Sequence, residues 1–220
     1  MKSIRIGLFS FVQNINWVAI GLIFLACLMA NFVLRYGLPV NTTTELQMDF
    51  ISKNEKLWHL AWFSWNLAAI SLCVFCAFLY RASQRTMLAK IGLLLVLLGL
   101  IPDLSAEYML SFKLSEYAIS NAMPAFIATE ALALKLTGLY ANGLYNLGGL
   151  VLTLVLLKEK FIPNYLAYLG VLGWLLGLCL SLLVVTQDMA TSEWLTMLAM
   201  VFSLVFMALV NVFCFSKMSP

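Results

Sequence analysis

The 220-residue chain is 63% hydrophobic and 10% charged, with 13 basic and 10 acidic residues and a mean hydropathy of +0.97. Soluble globular domains hold roughly 45–50% apolar and about 25% charged residues, so a soluble fold is excluded and an all-α polytopic membrane protein is expected. The net charge of +3 reads as a signal of membrane topology, and a basic patch for nucleic acid is not supported.

A membrane-crossing helix needs about 20 mainly apolar residues. Six runs qualify, at about Asn16–Leu34, Leu57–Tyr80, Leu88–Leu110, Ala131–Leu157, Asn164–Thr186 and Trp194–Phe215, and they make residues 1–220 a single transmembrane domain. The first follows Lys2 and Arg5 but is too long for a cleaved leader and ends in no small-x-small pattern, so it reads as a retained anchor. In the next connection, Thr44-x-x-Gln47 and Ser52-x-x-Glu55 have capping-box spacing, predicting a brief amphipathic helix near 45–51 and a new start into the second span. Asn41-Thr42-Thr43 fits a glycosylation acceptor, a weak pattern. Beyond the third span, Lys113, Glu116 and Ser120 fall on one helical face and Leu110, Leu114 and Tyr117 on another, the pattern of a surface-lying helix. Pro124 restarts the chain, and Pro163 opens the fifth span where its missing N–H costs little.

Cationic connections resist translocation. Lys2, Arg5, Arg81, Arg85, Lys90, Lys158, Lys160 and Lys217 share one side with a single acid, Glu159, whereas nine acids collect on the other. Both termini are therefore expected in the cytoplasm, with an acidic outer face carrying short amphipathic helices, in a multi-pass protein of the cell membrane. No inverted repeat with matched broken helices is apparent. Gly173-x-x-x-Gly177 suits close helix contact. Cys27, Cys73, Cys76, Cys179 and Cys214 all fall inside spans, and the Cys73-x-x-Cys76 pair reads as two small packing residues.

Asp103 and Glu107 are the chemically informative pair. They stand one turn apart on one face of the third span, and Pro102 removes the N–H that would bond the Leu98 carbonyl. Charges at that depth must face protein, water or a partner. Lys135 is placed near the level of Glu107, with Asn142, Asn146 and Thr153 continuing its face, and His59 stands near the outer boundary with Asn66 two turns below. A water-accessible outer cavity bounded by His59, Asn66, Asp103, Glu107, Lys135, Asn142 and Asn146 is the resulting candidate ligand-binding or proton-handling site. The plainer reading makes Lys135 the ion-pair partner of Asp103 or Glu107 and the asparagines interhelical glue.

Trp58, His59, Trp62 and Trp65 suggest a haem box, but a single histidine cannot supply bis-imidazole ligation and nothing selects an axial methionine, so an interfacial aromatic belt is the expected role of the tryptophans. No three-histidine zinc set, G-x-S-x-G, Walker A or dinucleotide fingerprint occurs. No metal and no cofactor is expected.

Tyr145-Asn146-Leu147-Gly148-Gly149, followed by Leu156-Leu157-Lys158-Glu159-Lys160-Phe161-Ile162-Pro163-Asn164-Tyr165-Leu166-Ala167-Tyr168-Leu169-Gly170, resembles a bacterial membrane-protein family known as domain-of-unknown-function family 4386. The resemblance covers mainly residues 142–183 and implies a six-helix protein of the bacterial inner membrane; it brings no activity or catalytic residues. Three function classes follow. The first is a non-enzymatic component that binds a lipid, a small molecule or a partner membrane protein through the cavity. The second is a proton-coupled transporter using Asp103 and Glu107. The third is a membrane enzyme with carboxylate acid–base chemistry on a lipid-borne substrate, Asp103 or Glu107 being the base and His59 or Lys135 the complementary group.

Overall fold

The computed structural model describes the backbone of residues 2–39, 42–186 and 189–218 and the side chains of residues 13–39, 42–184 and 195–214. Asn41 of the glycosylation pattern, Asp188, and the side chains of Lys2, Arg5, Glu193 and Lys217 lie outside what is described. No strand occurs among the described residues.

The helices are α1 (Lys2–Phe32), α2 (Thr44–Lys53), α3 (Glu55–Ala82), α4 (Met87–Tyr108), α5 (Leu114–Ile119), α6 (Met123–Leu134), α7 (Asn142–Lys158), α8 (Asn164–Thr186) and α9 (Met189–Met218). A 3₁₀ turn, Leu34–Tyr36, follows α1. Six helical stretches are long and apolar enough to cross a membrane: Gln13–Tyr36, Glu55–Ala82, Met87–Ile119, Met123–Lys158, Asn164–Val184 and Leu195–Cys214. Their neighbours form a closed ring, in the order α1, α3, α4, α7, α8, α9 and back to α1. The closing pair is joined inside the apolar layer by Asn16 and Asn211, both buried, whose amides bond at 3.2 Å.

Two of these stretches differ from the expected spans. α4 passes through a π-helical turn, Met109–Lys113, straight into α5, and α6 passes through a second, Lys135–Ala141, straight into α7. The segment after the third span is therefore an extension of that span, with Leu110 and Leu114 buried and Lys113 and Glu116 exposed and bonded to each other at 2.8 Å, instead of a separate helix. At 1.5 Å per residue, the 36 residues of Met123–Lys158 reach about 54 Å, more than a bilayer and its headgroups. The surplus of both helices packs with α2 into a cap at the end away from the termini.

α2 and the fresh start at α3 form as expected, but neither capping box closes. Gln47 is buried and donates to Glu130 of α6 at 3.2 Å, while Ser52 donates back to the Asp49 carbonyl at 3.0 Å. Tertiary burial outcompetes the local bond. Glu45, in the first turn of α2, has its carboxyl held below the usual range by its own backbone N–H and by the Thr43 hydroxyl.

The apolar interior divides into two cores. One, toward the termini, is built on Phe75, Val96, Tyr145, Leu152, Trp174 and Phe206; the other, under the cap, on Ile51, Trp58, Trp62, Leu110, Leu114 and Phe126. α4 and α7 approach closely because Gly92 faces Gly148: a Cβ built on Gly148 would lie 2.5 Å from the Gly92 carbonyl oxygen and 2.6 Å from Val96. Gly173 and Gly177 serve different neighbours, Gly177 lying against Asn146 of α7 and Gly173 against Phe202 and Ser203 of α9.

Two helix ends are closed by the same left-handed device. After α7, Lys160 takes φ 53°, with Lys160 N–H bonded to the Leu157 carbonyl and Phe161 N–H to that of Leu156; after α5, Asn121 takes φ 54°, with matching bonds from Asn121 to Ala118 and from Ala122 to Tyr117. Asparagine tolerates this region, and lysine tolerates it less well. Lys160→Gly is expected to raise stability in thermal unfolding of the detergent-solubilised protein by up to about 1 kcal/mol. Gly148→Ala is expected to lower it by about 1–3 kcal/mol, because the clash is with backbone and not with a movable side-chain tip.

Candidate functional site

The two cores meet at the level of Asp103 on α4 and Thr137 in the second π-turn. Asp103 is buried, and Thr137 Oγ1 donates to its Oδ1 at 2.6 Å. The buried Tyr145 phenol stands beside the same carboxylate. Glu107, one turn along and within electrostatic reach of Asp103, is wholly buried, and neither of its oxygens receives a hydrogen bond among the described residues.

A cavity of about 370 Å³ opens beside Asp103, inside the ring, with side chains from all six spans in its wall. It runs from Arg35 and Leu38, just past α1, to Trp174 and Met207 in mid-bundle. Most of the wall is apolar. Asp103, Thr137, Asn142 and Asn146 give it polar atoms from α4 and α7, and Asn31, Arg35, Thr196 and Ser203 add others from the α1 and α9 sides. Asn142 Nδ2 lies 2.9 Å from both the Gly177 carbonyl and Ser181 Oγ, and Asn146 Nδ2 donates to Asn142 Oδ1 at 2.7 Å. The same face of α7 continues to Thr153, which accepts from Trp174 Nε1 at 2.9 Å. These amides and hydroxyls thus tie α7 to α8 while presenting polar atoms to the cavity.

Of the seven residues singled out from the sequence, Asp103, Asn142 and Asn146 line this cavity. Glu107 lies behind the wall. His59 stands toward the cap, its Nδ1 2.9 Å from Ser111 Oγ, its Nε2 3.5 Å from Glu55 and its ring stacked on Phe112 at 4.8 Å. Asn66 bonds its own helix at the Trp62 carbonyl, 2.9 Å away. Lys135 is exposed and pairs with neither carboxylate; among the described residues the ion pairs are Lys53–Asp49, His59–Glu55 and Lys113–Glu116, each within about one turn of one helix. The π-turn explains the displacement of Lys135. Each residue in it advances by less than the 100° of an α-helix, so across 135–141 the face rotates by roughly a quarter turn relative to the α-helical expectation.

Thr137 and Tyr145 complete the site and were not anticipated. Their signal was present only as two polar side chains eight residues apart on the fourth span, with the apolar Ala141 midway between them. The tryptophans also depart from the expected belt. Trp58 and Trp62 are buried, in edge-to-face contact at 5.7 Å. The Leu114 N–H bonds to Met109 and not to Leu110, and the Leu110 carbonyl accepts from Trp58 Nε1 at 2.7 Å. The first π-turn thereby supplies an acceptor that an indole in a dry core requires. None of the five cysteines forms a disulfide, and Cys73, Cys76 and Cys214 lie within the core. No group of three or more His, Cys, Asp or Glu residues suited to a metal ion occurs among the described residues.

Comparison of the chain with known protein families, curated proteins and solved structures gave no match.

Because Glu107 makes no bond that a substitution could break, Glu107→Gln is expected to fold at the wild-type level, and Glu107→Leu to match or exceed wild-type thermal stability within about 1 kcal/mol. Fluorescence-detected size exclusion and thermal unfolding check this; a collapse of both variants would assign Glu107 to the scaffold.

Proposed function

We propose that this protein binds an amphiphilic small molecule or lipid in the central cavity, as a non-enzymatic component of the cell membrane. The observation that carries the reading is the cavity itself: a mostly apolar chamber within a six-span ring, with a few polar side chains and a buried carboxylate in its wall. Ligand sites are concave and mostly apolar, with a few convergent polar groups to fix orientation. The distribution of basic residues supports cytoplasmic termini and hence a cavity on the outer half of the membrane. The resemblance to domain-of-unknown-function family 4386 supports a bacterial inner membrane as its setting.

A second reading, proton-coupled transport, is favoured by one feature, the enclosure of Glu107 next to Asp103 without a hydrogen-bond donor or a cation. Intramembrane acids that face protein interiors mark proton relays as well as binding sites.

Ala68, on α3, lines the cavity with a small side chain. Ala68→Phe is expected to fill it while leaving the Asp103 wall intact. Native mass spectrometry of the wild-type protein, released from nanodiscs, should show an adduct of lipid or small-molecule mass that this variant lacks, with Tm little changed. Equal adduct occupancy in both proteins would sink the binding reading.

A further inference from the structure

The charge pattern of the cavity narrows the ligand class. Among the described residues Asp103 is the one carboxylate in its wall, and no lysine, arginine or histidine among them pairs with it. The polar groups that meet it are neutral hydroxyls, Thr137, which donates to it, and the neighbouring Tyr145. Arg35 is the one basic residue in the wall; it stands beyond the end of α1, at the far end of the cavity from Trp174, and is engaged in an interaction of its own. Three tryptophans, Trp62, Trp65 and Trp174, also face the chamber. A desolvated carboxylate attracts a cation far more strongly than it would in water. Indole faces add a second, independent attraction for positive charge and tolerate an apolar body. An anionic amphiphile would instead have to bring its charge into the same low-dielectric space as Asp103.

We infer that the cavity takes an organic cation with an apolar body, an ammonium-type or other delocalised positive charge resting against Asp103 and the hydrocarbon or aromatic part lying against the tryptophans. This rests on the binding reading above and specifies its ligand.

The test uses tetraphenylphosphonium and tetraphenylborate, ions of like shape and opposite charge, with the full chain in nanodiscs of neutral phosphatidylcholine. Saturable binding of radiolabelled tetraphenylphosphonium is expected, and no saturable binding of radiolabelled tetraphenylborate measured in a separate sample. Asp103→Asn, which keeps an acceptor for Thr137, should weaken it by about tenfold or more, and Asp103→Glu should largely retain it. Trp65→Leu, a variant that leaves the carboxylate in place, should weaken it several-fold and keeps the test decisive if Asp103→Asn does not fold. Unchanged affinity in Asp103→Asn, or saturable binding of the borate with equal affinity, overturns the assignment. If that happens while Ala68→Phe still removes the native adduct, the cavity binds and only the cation is wrong; if Ala68→Phe also changes nothing, both readings fall.

Discussion

Within an apolar ring of helices, a buried polar atom finds its partner in the protein or goes without, because the surrounding hydrocarbon offers none. The close approach of α4 and α7 at Gly92 and Gly148 sets which partners are within reach. It brings the carboxylate of Asp103 to the hydroxyl of Thr137, and it leaves the opposite face of α7 to α8, where Asn142, Asn146 and Thr153 are bonded. A side chain at Gly148 would part the helices at the backbone, and the polar contacts a few turns away would lengthen with them. Single interhelical bonds in membranes average only about 0.6 kcal/mol. The arrangement therefore depends on steric fit first and on hydrogen bonding second.

That fit changes character at the level of Asp103. Toward the termini the core is regular helix on regular helix; toward the cap, α4 contains Pro102 and both long helices pass through π-turns. A π-turn widens the helix locally and redirects the residues beyond it, so the ridges of the two halves do not share one register. The cavity lies where these halves join. The same irregularity exposes backbone acceptors, one of which, the Leu110 carbonyl, anchors Trp58. The polar groups of the site and the irregular backbone are thus two aspects of a single junction.

The spans, the helix at α2 and the inward position of Asp103, Asn142 and Asn146 were legible from the chain because they follow from hydropathy and from a 3.6-residue period. The partners were not. Placing Lys135 on the face of Asn142 assumes an α-helix between them, and the π-turn at 135–141 breaks that assumption. A tryptophan near a span end is read as interfacial, but whether a cap buries it depends on how far α4–α5 and α6–α7 project, which composition does not encode. Thr44-x-x-Gln47 has the spacing of a local cap, yet Gln47 meets a buried acceptor 83 residues away, and a bond inside the fold leaves fewer unsatisfied atoms than one at an exposed helix start.

The absence of Lys135 from the site changes what Asp103 means. Had the amine met the carboxylate, the pair would be explained as a closure of the bundle, with desolvation costs met by mutual attraction and nothing left over for a ligand. Thr137 supplies one neutral donor to one oxygen, and Asn142 and Asn146 direct their amide nitrogens to α8 and to each other and not to Asp103. A scaffold built for stability alone would do better with an apolar residue at 103, since an incompletely satisfied buried acid destabilises the fold it sits in. The chamber beside Asp103, lined by indoles, has the shape and sign to admit a group that completes its electrostatic satisfaction.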